Sequence, residues 1–375
     1  MLKPKKINKN KTYIKRALVS VFDKTGLPQL GKSLEQLGVE ILSTGGSARA
    51  LREEGTSVTE VSEYTKFPEI MDGRVKTINP LVEGGILGLR DRHSKDAKKY
   101  NIKWIDLVVC NLYPFSDTIM REDCDLALAL ENIDIGGPTM IRSAAKNVGW
   151  VAVIVDPNDY NNILNELRDN SGISYDTRAN LSSKAFGHTA HYDTIIHNYL
   201  KKNPLSNDFS LTYKKHSEMR YGENPHQAAA AFQVPGDNSN SILNAKIHQG
   251  KKLSYNNIMD ADAALACLKE FSTTACVVVK HANPCGVAIG QNMLDVYTRA
   301  FSADSLSVFG GIVAMNEECD QSVAQEISKI FVEIVLAPAF TDDALAIFSK
   351  KKNLRVLSFG KILPREKLLE VRNIV

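Results

Sequence analysis

The sequence predicts an α/β protein of two successive domains, the first built on a parallel sheet covered by helices on both faces. Three observations carry this. The chain has 375 residues, more than one hydrophobic core usually organises. Short runs rich in Val, Ile and Leu alternate with segments of helical periodicity. Several runs are apolar throughout, as strands are when helices cover both faces of a parallel sheet.

In the first half, Ala17–Phe22 reads as a strand and Thr25–Leu37 as a helix. Val39–Ser43 is a second strand, ending in Thr44-Gly45-Gly46 before a helix over Ser47–Glu54. Ile105–Cys110 and Val151–Val155 read as buried strands, and Cys124–Glu131, Pro138–Lys146 and Leu181–Leu200 as helices. The polar stretch 201–212, with Asn203-Pro204 and Ser206-Asn207-Asp208, reads as a linker between domains over 14–200 and 213–375. Beyond it, Asp260–Phe271 is helical, and the strand Ala275–Lys280 runs into a loop, His281–Gly286. Ile312–Met315, Ile334–Ala337 and Leu354–Ser358 read as strands, Gln321–Ile330 as a helix, and Pro364–Asn373 as a charged segment.

Composition narrows the class. At 43% hydrophobic and 24% charged residues the chain has the balance of an ordinary globular protein. No apolar run approaches the ~18 residues of a membrane-spanning helix. A net charge of +3 gives no ground for a nucleic-acid partner. Lys3, Lys5, Lys6, Lys9, Lys11, Lys15 and Arg16 crowd the start without the apolar core of a secretory signal. Residues 1–13 are therefore expected to be a disordered basic leader, with a nucleic-acid arm as the alternative. Six scattered cysteines without a CxxC pair indicate reduced thiols, a cytoplasmic protein, and neither disulfides nor structural zinc.

Three clusters in the first half carry chemistry. Ser20–Gly26, containing Lys24, and Ser43–Ser47 are both strand ends turning into helix starts. In an open parallel sheet ligands bind at such ends, where free N–H groups and glycines let an anion approach. An ordinary helix cap is the alternative. In Asp72–Thr77, Arg74 and Lys76 are two residues apart and project from one side of an extended segment. Two cations there suit a phosphorylated substrate and a developing oxyanion, although a solvated basic loop has the same composition. The third cluster joins Asn111–Phe115 with Ile133–Pro138 and the following Arg142–Asn147. Its Asp134 is either an active carboxyl or a turn residue, and Lys146 either points back toward it or faces water.

In the second half, Lys280 precedes His281 at the end of a buried strand. An adjacent ammonium would keep that imidazole neutral and able to accept a proton, unless it is simply a satisfied loop histidine. His281 with Pro284-Cys285 is superficially similar to zinc deaminases, but the second cysteine of their PCxxC pair is absent. No metal is expected.

Several of these motifs in order resemble one family, the bifunctional AICAR transformylase/IMP cyclohydrolases of purine synthesis. Asp72–Thr77, Asn111–Phe115, Asp134–Thr139 and Lys184–Ala190 resemble the cyclohydrolase domain; Arg220–Gln227 and Lys280–Gly286 resemble the transformylase domain. The resemblance implies a methylglyoxal-synthase-like first domain and an incomplete cytidine-deaminase-like second one. It implies that FAICAR binds the first, with Lys24, Thr44, Gly45, Gly46, Ser47 and Arg74 on its phosphate and Ser20, Thr77, Asn111, Gly136 and Gly137 in contact. Ring closure to IMP would use Asp134 as base, Lys76 over the formyl oxygen, and Tyr113 and Lys146 as orienting and relay groups, with no metal. In the second domain His281 and Lys280 would serve formyl transfer from 10-formyltetrahydrofolate to AICAR, held by Arg220, Tyr221, Asn256, Gly310 and Glu333. A homodimer is implied as well.

The chain departs from the family pattern where Asn79 and Glu83 replace frequent histidines and Phe22 a common serine. Because it ends at Val375, where a second transformylase subdomain should follow, formyl transfer by this chain alone is expected to fail. Two alternatives differ in class. A non-catalytic or chaperoning fragment would not turn over FAICAR. A methylglyoxal-synthase-type lyase would leave Asp134–Thr139 and the whole second half unexplained.

Overall fold

The structure is a computed structural model and describes residues 6–362 except 204, 206, 220, 235, 236 and 238. It divides into two compact units at Thr212/Tyr213. Among the described residues no helix is long and apolar enough to cross a membrane.

The first unit holds five strands: β1 (Arg16–Ser20), β2 (Glu40–Ser43), β3 (Thr59–Glu60), β4 (Leu107–Cys110) and β5 (Ala152–Ile154). They form one sheet in the order β3-β2-β1-β4-β5, and every pairing is parallel. Successive residues of β1 feed two cores. Ala17 and Val19 pack with Leu27, Leu30 and Leu34 of helix α1 (Leu27–Gln36), while Leu18 packs on the other face with Ile86 and Ile141. Burial on both faces is why these strands read as unbroken apolar runs. Four further helices position the site: α2 (Gly45–Glu53), α3 (Pro80–Leu87), α4 (Gly136–Lys146) and α5 (Tyr175–Leu200).

The expectation of a disordered leader fails over residues 8–13. Arg178 of α5 is fully buried and donates to the carbonyls of Asn10, Val148, Gly149 and Ile173 at 2.5–3.3 Å. Thr12 bridges Ile173, the Asn8 amide donates to the Gly149 carbonyl at 3.0 Å, and Lys11 Nζ to the Asn170 carbonyl at 2.6 Å. The guanidinium's fixed fork of donors, matched to exposed carbonyls, draws this polar segment onto the domain. Residues 1–5 lie outside the described residues. Ser210 and Thr212 also lie back on α5, where Asn198 Nδ2 donates to Ser210 O at 3.2 Å and His191 Nδ1 meets Thr212 Oγ1 at 2.6 Å.

In the second unit β6 (Lys214–Glu218) and β7 (Ala230–Gln233) form an antiparallel pair. The main sheet contains β8 (Lys246–Gln249), β9 (Thr274–Lys280), β10 (Asn283–Gly290), β11 (Ile312–Met315), β12 (Ile334–Ala337) and β13 (Arg355–Ser358), in the order β10-β9-β11-β12-β13-β8. It is mixed rather than parallel: β11-β12-β13 are parallel, and β9, β10 and β8 join antiparallel. Helix α6 (Tyr255–Leu268) covers one face and α7 (Met293–Ala303) the other. The expected loop His281–Gly286 is instead mostly strand. His281 and Ala282, both at positive φ (53° and 58°), form a two-residue turn of a hairpin between β9 and β10. Pro284 is accommodated because β10 is the sheet edge and its register shifts between Pro284 and Gly286. The segment Pro364–Asn373 lies outside the described residues.

Candidate active sites

The chain leaves β1 toward β2 on one side and later enters β4 on the other. The gap between the carboxyl ends of β1 and β4 is therefore the switch point of the first sheet, where open α/β sheets place their ligands. A cavity of about 880 Å³ opens there. It gathers Ser20, Lys24, Thr44, Gly45, Gly46, Ser47, Arg74, Lys76, Thr77, Asn111, Tyr113, Asp134, Gly136 and Gly137 from five separate segments.

One wall is the start of α2. Thr44 makes no side-chain cap bond to this helix, Gly45 sits at φ 47°, and Lys24 Nζ lies beside Gly46, 3.7 Å from where a Cβ would stand. An uncapped helix start under an ammonium is an anion cradle. Ser47 is buried; its hydroxyl accepts from Val21 N at 2.9 Å and donates to Val21 O at 3.0 Å, which fixes the end of β1 to this turn. Ser20 Oγ lies 3.2 Å from Thr44 Oγ1.

Across the cavity, Asp134 Oδ1 accepts the Gly137 amide at 2.8 Å. Burial pushes its carboxyl above the ordinary range, against the Gly137 amide and the charge of Lys76, which pull it down. Thr77 is buried, and its hydroxyl oxygen would lie 2.8 Å from a Cβ on Gly136. Arg74 follows a tight turn in which Met71, Asp72 and Gly73 all have positive φ, and it pairs with Glu131 on the rim. Tyr113 is exposed and meets Phe22 edge-on, with ring centroids 5.6 Å apart.

Two expected residues are placed differently. Asn111 lines the cavity but its carboxamide is committed to the β1–α1 loop: Oδ1 accepts Phe22 N (2.7 Å) and Asp23 N (3.0 Å), and Nδ2 donates to Asp23 O (3.1 Å). It shapes the loop that carries Lys24, spending its carbonyl oxygen and one amide N–H there. Lys146 is exposed at the far end of the eleven-residue α4, whose start lines the cavity. At about 1.5 Å per residue it lies roughly 15 Å from Gly136, so it is not brought to Asp134 within this unit. The two replaced histidines have structural duties. Asn79 caps α3, accepting Leu81 N at 2.9 Å, and Glu83 accepts Ser143 Oγ of α4 at 2.7 Å.

The second unit has its own cavity, of about 720 Å³, lined by Tyr221, Asn256, Lys280, His281, Gly310 and Glu333 among others. Arg220 lies outside the described residues. Lys280 Nζ donates to the Phe309 carbonyl at 2.6 Å. His281 is raised on the hairpin turn, and Asp260 Oδ1 braces that turn by accepting Ala282 N at 2.8 Å. Non-glycine residues at two consecutive positive-φ positions are strained, and such strain is held where a side chain must be aimed. Glu333 accepts Asn257 Nδ2 at 2.6 Å and faces Arg355 at 3.5 Å. Lys251, Lys252, Asp260 and Arg355 also line this cavity. Sequence reasoning missed them, although the lysine pair just before the Ser254/Asn257 capping box was a visible signal of cations at a helix start.

Fold and cavities together define a two-domain α/β protein. The first domain sets an anion cradle opposite a half-buried carboxyl and a lysine; the second sets a raised histidine among lysines, an arginine and carboxylates. The family model described as AICARFT/IMPCHase bienzyme matches residues 144–375, and that described as MGS-like domain matches residues 26–139. A protein of Acetivibrio thermocellus named bifunctional purine biosynthesis protein PurH is 51% identical over 93% of this chain and 69% of its own length. A protein of Bacillus cereus with the same name is 50% identical over 92% of this chain and 69% of its own. A solved structure titled Crystal structure of ForH is 32% identical over 50% of this chain and all of its own, with a TM-score of 0.46. The chain belongs to the AICARFT/IMPCHase bienzyme family.

Proposed function

We propose that the first domain closes FAICAR to IMP and that the second carries the AICAR formyl-transfer site of the same pathway. The observation that supports this most is the carboxyl of Asp134, raised by burial, sharing one cavity with Lys76 and the anion cradle of α2. FAICAR carries the three matching features: a phosphate, a carboxamide and a formyl group.

With the phosphate at Gly45, Gly46 and Lys24, the base reaches across the cavity toward Asp134. The carboxamide nitrogen attacks the formyl carbon, and a C–N bond forms as the C=O π bond breaks. Asp134 accepts the proton lost by nitrogen, being a stronger base than a solvated carboxylate. Lys76 stabilises charge developing on the formyl oxygen. The proton then passes from Asp134 to the formyl oxygen, making it a hydroxyl. As the formamido nitrogen gives up its own proton and forms the C=N bond, the C–O bond breaks and that hydroxyl leaves as water, so no net proton is consumed. Both reacting groups belong to one molecule, and holding them in contact supplies much of the rate. Tyr113 orients the carboxamide from the rim.

In the second domain, Tyr221, Asn256, Gly310 and Glu333 hold AICAR. The 5-amino nitrogen bonds the formyl carbon as His281 accepts its proton; the bond from that carbon to the folate nitrogen then breaks, and the proton passes to the leaving nitrogen, with Lys280 assisting. The cavity suits such a ligand, since Lys251, Lys252 and Arg355 offer cations for a nucleotide phosphate. The formyl donor in this reading is 10-formyltetrahydrofolate, the assembly a homodimer and the location cytoplasmic; family membership is the support for all three.

The test is optical. Purified chain with FAICAR should develop the IMP absorbance in proportion to enzyme, and FAICAR left unchanged by a folded preparation would refute the assignment of the first domain.

A further inference from the structure

Behind the Asp134 turn lies Tyr192 of α5, only 6% exposed. Its hydroxyl oxygen accepts the Asp134 backbone N–H at 2.8 Å, and the hydroxyl donates toward the Asn132 carbonyl at 3.4 Å. Both ends of the segment 132–134 are thus tied to one phenol. The ring packs edge-on against Phe115, with centroids 6.3 Å apart at 71°. Phe115 is itself buried and stands two residues beyond Tyr113. One side chain of the long helix therefore touches both loops that carry reacting groups.

Packing alone does not explain a tyrosine here. A phenylalanine would fill the same space without desolvating a hydroxyl, so the oxygen earns its place only through the groups it holds. What it holds is the backbone of Asp134, whose carboxyl is fixed on its other side by the Gly137 amide. A catalytic carboxyl misplaced by a fraction of an ångström loses its proton-transfer geometry.

We propose that Tyr192 is a positioning residue for ring closure, its hydroxyl holding the Asp134 backbone so that the carboxyl meets the carboxamide nitrogen. The inference rests on Asp134 being the base. Lys76 is the charged side chain that pulls the Asp134 carboxyl down; adding to burial, Asp134 in turn pushes up Tyr192 and Cys110, and Asp193 and Tyr113 also push up Tyr192.

The same helix supplies a matched control. Tyr199 also packs on Phe115, with centroids 5.7 Å apart, but its hydroxyl neighbours Cys124 instead of the Asp134 turn. Y192F and Y199F make the same chemical change against the same partner ring. Y192F should lower kcat for IMP formation about tenfold to a hundredfold, with KM near wild type, and displace the acid limb of the pH–kcat profile. Y199F should match wild type in all three. Hydrogen exchange gives a readout independent of turnover: the Asp134 amide should exchange faster in Y192F and remain protected in Y199F. Wild-type kcat with an unmoved acid limb in Y192F, or an Asp134 amide still protected, would overturn the proposal. So would equal losses in the two variants, which would assign the effect to helix packing. A wild-type chain that forms no IMP would instead sink the functional reading beneath it.

Discussion

Gly137 and Asp134 are in contact that admits no side chain: a Cβ on Gly137 would stand 2.5 Å from Asp134 Oδ2 and 2.6 Å from Leu112 Cδ2. The Gly137 amide meanwhile donates to Asp134 Oδ1 at 2.8 Å. The glycine is thus both the donor that holds the carboxyl and the space that receives it. G137A is expected to displace the carboxyl and reduce IMP formation by about a hundredfold or more, with a smaller effect on FAICAR binding. Steady-state kinetics that separate kcat from KM would check this.

Asp134 also gives a stability prediction with a definite sign. Burial raises its pKa in the folded chain, so folding favours the protonated form. That contribution is complete below the unfolded pKa and is lost as pH rises through the higher folded value. At neutral pH the ionised carboxyl therefore weakens the fold, and D134N should melt at a higher temperature than wild type. The difference should shrink as pH falls toward about 4, where the wild-type carboxyl protonates in both states. Melting curves across that range decide it, and a D134N chain less stable at neutral pH would contradict the burial argument.

R178M is expected to destabilise the first domain by about 3 kcal/mol or more. Four carbonyls, those of Asn10, Val148, Gly149 and Ile173, would lose a charged donor inside the fold. Denaturant titration would measure the loss. Proteolysis within residues 8–13 should accelerate in the same variant, since that segment is held by these bonds.

Ala282 occupies a left-handed position at φ 58°, which glycine adopts without cost. A282G should stabilise the second domain by up to about 1 kcal/mol, read as a raised melting temperature, because the relieved Cβ strain exceeds the freedom that glycine adds to the unfolded chain. A lower value would show that the strain at Ala282 is smaller than the entropic cost of glycine.

The parallel sheet of the first domain was legible because its strands are buried on both faces and so appear as unbroken apolar runs, as at Leu107–Cys110. The anion cradle was legible because Thr44-Gly45-Gly46 falls between a strand and a helix. Three features were not. His281–Gly286 looks like a loop, since Pro284 and Gly286 are loop residues anywhere except on a bulged edge strand, and edge position is a tertiary fact. The docking of residues 8–13 depends on Arg178, more than 160 positions away along the chain in the case of Asn10 (|i−j| 168). Asn111 and Lys146 carried the right chemistry, but local pattern does not reveal that one is spent on a neighbouring loop and the other stands at the wrong end of its helix.

The most direct test of the central claim is IMP formation from FAICAR by K76A and D134N beside the wild-type chain. Lys76 and Asp134 come from segments far apart in sequence and face the same cavity. Each substitution should lower turnover by about a hundredfold or more, while both variants remain folded and D134N melts higher at neutral pH. Wild-type rates in both variants would contradict the assignment of oxyanion and base, and with it the account of this cavity as the ring-closing site.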